Sequence, residues 1–162
     1  MVIWRLIAHH EDADGAIKEM KVRNRIAIGW TEIGDLSTVK VSGPSDIAVL
    51  ISKAYHPIPI ENSHLGGPSL WNFYHHMQVG DLVILNANGK RVCVFEVIGP
   101  YIYESGQGQI MGYGHQRPAC LTNLNPEDLW NSSGSSVADG QNIRWTLAAC
   151  EQSPKAGPAI FT

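Results

Sequence analysis

Ile26-Ala27-Ile28-Gly29-Trp30 is the stretch that decides the fold of this chain. A short apolar run that ends in Gly and Trp predicts a strand buried on both faces in a sheet. The indole at the strand end, beside the hydroxyl of Thr31, suits stacking against another flat ring, and nucleobases are the commonest such partners. Packing at the end of a barrel core explains the same Trp equally well.

Composition and length predict one globular domain. The 162 residues are 44% hydrophobic and 17% charged, and they include 16 Gly and 9 Pro, which favours a strand-rich fold over a helical bundle. We assign residues 1–150 to this domain and the Pro- and Gly-rich residues 151–162 to a flexible tail or linker. The apolar start of the chain lacks the features of a signal peptide, and no run is long enough for a membrane span, so we expect a cytoplasmic protein.

The charge balance bears on the kind of partner. The formal net charge is −3, with 12 Lys and Arg against 15 Asp and Glu, which argues against extensive non-specific binding to DNA. A pocket that takes one nucleotide needs only a few local cations, and Arg23 and Arg25 stand in such a local group just before the strand. A solvated helix face is the competing interpretation of that group.

The order of elements predicts the fold class. The predicted strands are 2–8, 26–30, 82–85, 91–98 and 143–147, and the predicted helices are 14–24, 44–55 and one that starts at 66–69. An Asn-Gly turn between the third and fourth strands predicts a hairpin, and Asn125-Pro126 predicts a single capped helical turn. Regular strand–helix alternation is missing, so we expect an α+β fold with a small, strongly curved, mixed β-barrel and flanking helices.

Motifs of the common catalytic classes are missing from the sequence. It contains no GxGxxG, P-loop lysine, HExxH or GxSxG pattern, and its three cysteines form no CxxC pair. Cys93, inside an apolar strand, is expected to be a buried neutral thiol. We therefore expect no catalytic residues, no metal and no cofactor. The nearest approach to a catalytic pair is Lys90 with Glu96 on the hairpin.

Five segments together resemble a known family. They are IAIGWTEIGDLS (26–37), LWNFYHHM (70–77), QVGDLVIL (78–85), VFEVIGPYIYE (94–104) and YGHQRPACL (113–121). In this order they resemble the EVE-like branch of the PUA superfamily. The arrangement is also similar to the N-terminal recognition modules of McrB-type and Mrr-type modification-dependent restriction systems and, more distantly, to YTH domains. The resemblance extends over about residues 2–147.

The resemblance implies a PUA-like barrel that receives a flipped base in an aromatic pocket. Gly29-Trp30-Thr31 is similar to the Gly-x-Trp-Ser segment of YTH domains, so Trp30 is expected to form one wall and Thr31 to contact the base. The further residues assigned to the base are Trp71, Tyr103, His115 and Gln116, and those assigned to the nucleic-acid backbone are Arg23, Arg25 and Arg117. Related restriction modules often carry a Trp at the end of the last motif, where this chain has none. The second wall is therefore left to Trp71, Tyr103 or Trp130.

The expected function is that of a non-catalytic reader of methylated adenine or modified cytosine in DNA, with a nuclease or NTPase effector as partner and no membrane. Three alternatives stay open. The first is a module that reads modified RNA, and the second is a small ASCH-type hydrolase that uses Lys90 and Glu96. The third is a protein-interaction domain whose tryptophans all lie in the core.

Overall fold

The order of secondary-structure elements is mixed, as the sequence predicts. The structure, a computed structural model, describes residues 1–55, 60–134 and 145–150, without the side chains of residues 60–65. The strands are β1 (Ile3–Ile7), β2 (Arg25–Ile28), β3 (Leu82–Ala87), β4 (Lys90–Val97), β5 (Ile102–Tyr103), β6 (His115–Leu121) and β7 (Leu147–Ala149). The helices are α1 (Ala13–Arg23), α2 (Pro44–Ala54), α3 (Ile60–Trp71) and α4 (Pro126–Ser132), and a π-helical turn at Asn72–His76 continues α3.

The seven strands form a mixed sheet that curls into half a barrel, in the order β2-β6-β4-β3-β1-β7. β1 and β3 are parallel, and the other pairs are antiparallel. The first half of β6 has β2 on one side and β5 on the other, so that Ile28 and Tyr103 both pair with His115. This pairing brings the segment that contains Trp30 beside β5 and β6, and the predicted curved α+β architecture is confirmed.

The core occupies both faces of the central strands. Trp4 and Leu6 of β1 point into the main cluster with Ile26, Ile28 and Phe95. A smaller cluster on the opposite face includes Ile3, Ile84 and Val94, and Leu129 and Trp130 of α4 pack against it. Because both faces are covered, β1 is apolar at nearly every position, as expected of a central strand.

Local signals in the sequence identify several elements correctly. Asn88 and Gly89 join β3 to β4 with φ of 54° and 78°, the left-handed pair that a two-residue hairpin turn requires. Asn125 caps α4, since its side chain accepts hydrogen bonds from the backbone N–H groups of Glu127 and Asp128. The helix predicted from Pro44 is also confirmed, and it begins with that proline in its first turn.

Three predicted boundaries are wrong. β2 ends at Ile28, so Trp30 lies outside the strand. α3 begins at Ile60 rather than at 66–69, and Pro68 lies inside it. A side chain at Gly67 would come within 2.6 Å of the Pro44 carbonyl, so tight packing of α3 on α2 outweighs the local preference of proline to begin a helix. The last strand occupies Leu147–Ala149, whereas residues 143–144 and the predicted tail at 151–162 lie outside the described residues.

Candidate functional site

Trp30 has an unusual backbone conformation. Its φ and ψ are 64° and 39°, which places it in the left-handed region between the end of β2 and a 3₁₀ turn at Thr31–Ile33. For a bulky L-residue this conformation costs about 1–2 kcal/mol. Such strain persists only where the surrounding structure holds the residue in place, and it is concentrated at functional sites.

A chain of buried hydrogen bonds holds the Trp30 peptide. The Trp30 carbonyl accepts a hydrogen bond from Nε2 of His115 at 2.9 Å. The Tyr101 hydroxyl lies 2.7 Å from Nδ1 of the same ring and accepts a hydrogen bond from the Leu36 N–H. Burial lowers the pKa of His115 to about 4, so the ring is neutral at pH 7. Because a carbonyl only accepts, Nε2 carries the proton and Nδ1 accepts the hydrogen bond from Tyr101.

Thr31 fastens the next peptide instead of presenting its hydroxyl to solvent. The hydroxyl donates to the Gly112 carbonyl at 2.5 Å and accepts from the Gly114 N–H at 2.9 Å. The Thr31 carbonyl accepts a hydrogen bond from the Tyr103 hydroxyl at 2.8 Å. The side chain is buried. It therefore hydrogen-bonds to the loop before β6 and does not make the predicted contact with a base.

The indole of Trp30 is half-buried against two helices. A Cβ atom at Gly66 of α3 would lie 2.8 Å from Cε2 of Trp30 and 2.7 Å from Cδ1 of Ile51. Only glycine therefore fits at position 66, and part of the ring rests directly on the α3 backbone. Trp30 as a whole keeps part of its surface exposed to solvent.

Four tyrosines contact the segment that carries Trp30, which we call the Trp30 segment (residues 29–36). They are Tyr55, Tyr101, Tyr103 and Tyr113. The Tyr55 hydroxyl donates to the Glu32 carboxylate at 2.5 Å and accepts from the Glu32 N–H. The Tyr113 ring lies against Gly29, where a Cβ atom would be 3.3 Å from it, and it stacks on His9 with ring centroids 4.3 Å apart.

Sequence reasoning identified only Tyr103 of these four. Tyr101 stands two positions earlier, and the period of an extended chain places both rings on one side. That spacing is the signal that could have found Tyr101. Tyr55 ends α2 and Tyr113 follows a tight turn, so no local pattern connects either residue to the Trp30 segment.

The Trp30 segment itself carries two carboxylates, Glu32 and Asp35, and no Lys or Arg, whereas Arg25 and Lys40 stand further out on either side of it. Burial raises the pKa of Tyr103, and the nearby carboxylates of Glu32 and Asp35 raise it further. These two carboxylates, which we call the acidic rim, repel a phosphate group. A ligand is therefore expected to contact the Trp30 segment through the uncharged ring of a base.

The arginines assigned to a nucleic-acid backbone have protein partners. Nη1 of Arg23 lies 3.0 Å from the Gln107 carbonyl, and Nη2 lies 3.3 Å from the Glu19 carboxylate. Nη1 of Arg25 donates to Glu104 at 3.0 Å and to the side chain of Gln116 at 3.1 Å. Both arginines line a cavity of about 270 Å³. Their charge is therefore partly neutralised within the protein.

His115, Gln116 and Arg117 of β6 are buried inside the protein. Arg117 is 4% exposed and donates to the carbonyls of Phe73, Met77 and Gly99. It cannot serve as a surface cation, so its predicted contact with a nucleic-acid backbone is wrong. The buried Gln116 amide donates to the carbonyls of Gly108 and Tyr113. These three residues lie beneath the surface near the Trp30 segment and are not exposed to a ligand.

Trp71 and Trp130 lie away from the Trp30 segment. Gly66 marks the side of α3 that contacts Trp30. Trp71 stands five residues later, which on a helix is a rotation of about 140° away from that side. Its ring stacks on His75 at 4.2 Å. The Trp130 ring packs on the outer cluster and lies under the Arg91 guanidinium at 4.0 Å. Tyr103 is therefore the predicted second wall that adjoins the Trp30 segment.

The residues of the hydrolase alternative do not form a shared site. Lys90 and Glu96 are exposed near opposite ends of β4, and six residues of extended strand separate them by about 20 Å. Cys93 is buried, and burial raises the pKa of its thiol, as predicted for a neutral side chain. Across residues 1–55, 60–134 and 145–150, no group of three or more His, Cys, Asp or Glu could hold a metal ion.

Within the same described ranges, no helix is both long enough and apolar enough to cross a membrane. A family model described as "Domain of unknown function (DUF8426)" matches residues 4–120. That match includes the Trp30 segment, all four tyrosines and most of β6. No curated protein matches the chain.

Proposed function

Since this chain belongs to the DUF8426 family, which carries no assigned function, we propose one from the site itself: a non-catalytic reader of a modified nucleobase. The domain is a PUA-like module of the EVE-like kind, and it inserts a flipped base between Trp30 and Tyr103. The observation that carries this proposal is the half-exposed Trp30, held in a left-handed backbone conformation by buried hydrogen bonds.

Packing alone gives no reason for this arrangement. A core position can be filled by an aliphatic residue in an unstrained conformation, and the strain at Trp30 lowers stability by about 1–2 kcal/mol. Buried polar groups fix the two peptides at positions 30 and 31 through hydrogen bonds. They belong to the neutral His115, to Tyr101 and to Thr31. Rigid support of an accessible aromatic ring is what stacking on a ligand requires.

The energetics favour two rings and an additional source of selectivity. Extruding a paired base costs a few kcal/mol, and stacking contributes about 1–3 kcal/mol per base. One ring therefore barely offsets extrusion, whereas Trp30 and Tyr103 together do so. Burial of a methyl group adds about 0.8 kcal/mol, roughly a fourfold preference. The exposed Glu32 carboxylate supplies a further contact, since it can accept a hydrogen bond from the exocyclic amino group of adenine or cytosine.

The acidic rim and the internally paired arginines indicate the setting of this reader. Arg23 and Arg25 are ion-paired with Glu19 and Glu104, and the Trp30 segment has no cation of its own, so the domain recognises one base and leaves extended DNA contacts to other parts of an assembly. A nuclease or NTPase effector, in the same polypeptide or in a partner, fits that role. We place this function in cytoplasmic DNA surveillance of the modification-dependent restriction type, with DNA favoured over RNA.

The test is a panel of binding titrations by fluorescence anisotropy. The panel contains single- and double-stranded DNA and single-stranded RNA, each with adenine, N6-methyladenine, cytosine or 5-methylcytosine at one position. We expect at least tenfold tighter binding to one modified base in DNA. Trp30→Ala should abolish that preference, while the matched control Trp130→Ala should keep it.

Equal binding of all members of the panel by the wild type would remove the proposal. Preference for RNA at equal modification would move the reader to RNA, because contacts to the 2′-OH distinguish the two nucleic acids. A preference that survives Trp30→Ala would show that another surface reads the base.

A further inference from the structure

A second cavity lies where the π-helical turn at Asn72–His76 meets β1 and β7. Its volume is about 600 Å³. The lining includes Trp4, Trp145, Asn72, His76 and Gln78, together with three small aliphatic residues. None of these residues belongs to the Trp30 segment or to the four tyrosines around it, so this cavity is a separate site.

The lining combines two tryptophans and a histidine with aliphatic and amide side chains. Trp4 is 3% exposed and donates its Nε1–H to the buried Asp81 carboxylate at 2.9 Å, so it contributes only a small part of the cavity wall. Trp145 is half-buried at the entrance to β7. Among the described lining residues there is no Asp, Glu, Lys or Arg. The cavity therefore suits a neutral ligand and disfavours a phosphate group.

Three polar side chains face this aromatic surface. In the part of the chain that the structure describes, the side-chain amides of Asn72 and Gln78 have no hydrogen-bond partner. The His76 ring lies edge-on to the rings of Trp71 and His75. Each amide offers one acceptor and two donor hydrogens, which matches the mixed donor and acceptor edge of a nucleobase.

The π-helical turn supplies a second, independent sign of function. The Met77 N–H donates to the Asn72 carbonyl at 2.8 Å, a bond over five residues. Nη1 of the buried Arg117 fixes the turn through the carbonyls of Phe73 and Met77. Turns of this kind are rare and are frequently found at functional sites.

We propose that this cavity binds a neutral planar heterocycle of nucleobase size as part of a nucleoside. The ring stacks on Trp145, and its polar edge bonds to Asn72 and Gln78. The volume exceeds that of a single base and lies within the range of small-molecule sites, which leaves room for the sugar. The proposal does not rest on the function assigned to Trp30.

The experiment uses the five indole N–H resonances of the full chain in ¹⁵N–¹H correlation spectra, one for each Trp. Adenosine and cytidine are titrated, followed by their 5′-monophosphates and a short single-stranded DNA. We expect the Trp145 and Trp4 resonances to move with the nucleosides while Trp30 stays in place, and we expect the monophosphates to bind more weakly. Asn72→Leu and Gln78→Leu should each raise Kd about tenfold, the loss of roughly one hydrogen bond.

Asn123→Leu, on an exposed loop, is the matched control and should leave Kd unchanged. If Asn72→Leu fails to fold, Gln78→Leu gives the same readout from an exposed position. Movement of Trp145 with the DNA strand as well assigns the ligand to a base within a strand, and movement with nucleosides alone assigns it to a free nucleoside. Static Trp4 and Trp145 resonances at millimolar nucleoside, or Kd values unchanged by both leucine variants, overturn the proposal.

Discussion

Replacing Trp30 by glycine separates the cost of its backbone conformation from the value of its ring. Both Trp30→Gly and Trp30→Ala remove the indole, but only glycine adopts φ of 64° without strain. Removing a fully buried Trp costs about 3–5 kcal/mol, and the half-buried Trp30 should cost about half of that. Trp30→Ala is therefore expected to lower the free energy of unfolding by about 2 kcal/mol.

Trp30→Gly regains about 1 kcal/mol of that loss, because a left-handed backbone no longer strains a Cβ atom. Urea unfolding, followed by circular dichroism for wild type and both variants, measures the difference. Nucleic-acid binding should fall equally in the two variants, since neither has the ring. In an ordinary strand conformation glycine would instead be about 0.5–1 kcal/mol less stable than alanine, and that order of stability would refute the reasoning.

Four further predictions follow from the surroundings of Trp30. Burial lowers the pKa of His115 from its ordinary 6.5 to about 4, so on acidification the imidazole is protonated in the unfolded chain before it is protonated in the folded one. The free energy of unfolding should therefore fall by about 3 kcal/mol between pH 6.5 and 4. In urea titrations over that range, the free energy of unfolding of His115→Gln should change less steeply with pH than that of wild type. Thr31→Val, which loses both hydrogen bonds of the hydroxyl, should destabilise the protein by about 2–3 kcal/mol, and thermal unfolding should show Thr31→Ser within about 1 kcal/mol of wild type. Arg117→Met should lower the free energy of unfolding by about 3 kcal/mol or more, because three buried carbonyls lose their donor. The folded fraction of this variant should still bind oligonucleotides as wild type does, whereas loss of a phosphate-binding residue would weaken binding. Binding of modified DNA between 50 and 200 mM salt should show a slope of log K of only about −1 to −2, since few phosphates are contacted.

Short-range chemistry explains which parts of the fold could be predicted. The Asn88-Gly89 turn and the Asn125 cap depend on residues next to one another, and the structure has both features as predicted. The strand before Trp30 is also predicted, because Ile26 and Ile28 on one face and Ala27 on the other are all buried in a covered sheet. Each of these signals comes from backbone preferences that act within a few residues.

Distant contacts explain what could not be predicted. The left-handed conformation of Trp30 depends on His115, which lies 85 positions away, and no pattern around residue 30 contains that information. The start of α3 was misplaced because Gly67 packs closely on Pro44. His115, Gln116 and Arg117 lie on β6 beside the strand that leads to Trp30, but nothing in the local sequence shows that distant elements cover these side chains and bury them.

The most direct test of the central claim is the indole N–H resonance of Trp30 during titration with single-stranded DNA that carries the preferred modified base. A ring that stacks on the base must change its chemical shift as the binding isotherm rises. We predict that this resonance moves in step with saturation and that the unmodified strand moves it much less. A Trp30 resonance that stays in place while the anisotropy of the same sample reaches saturation would contradict the account.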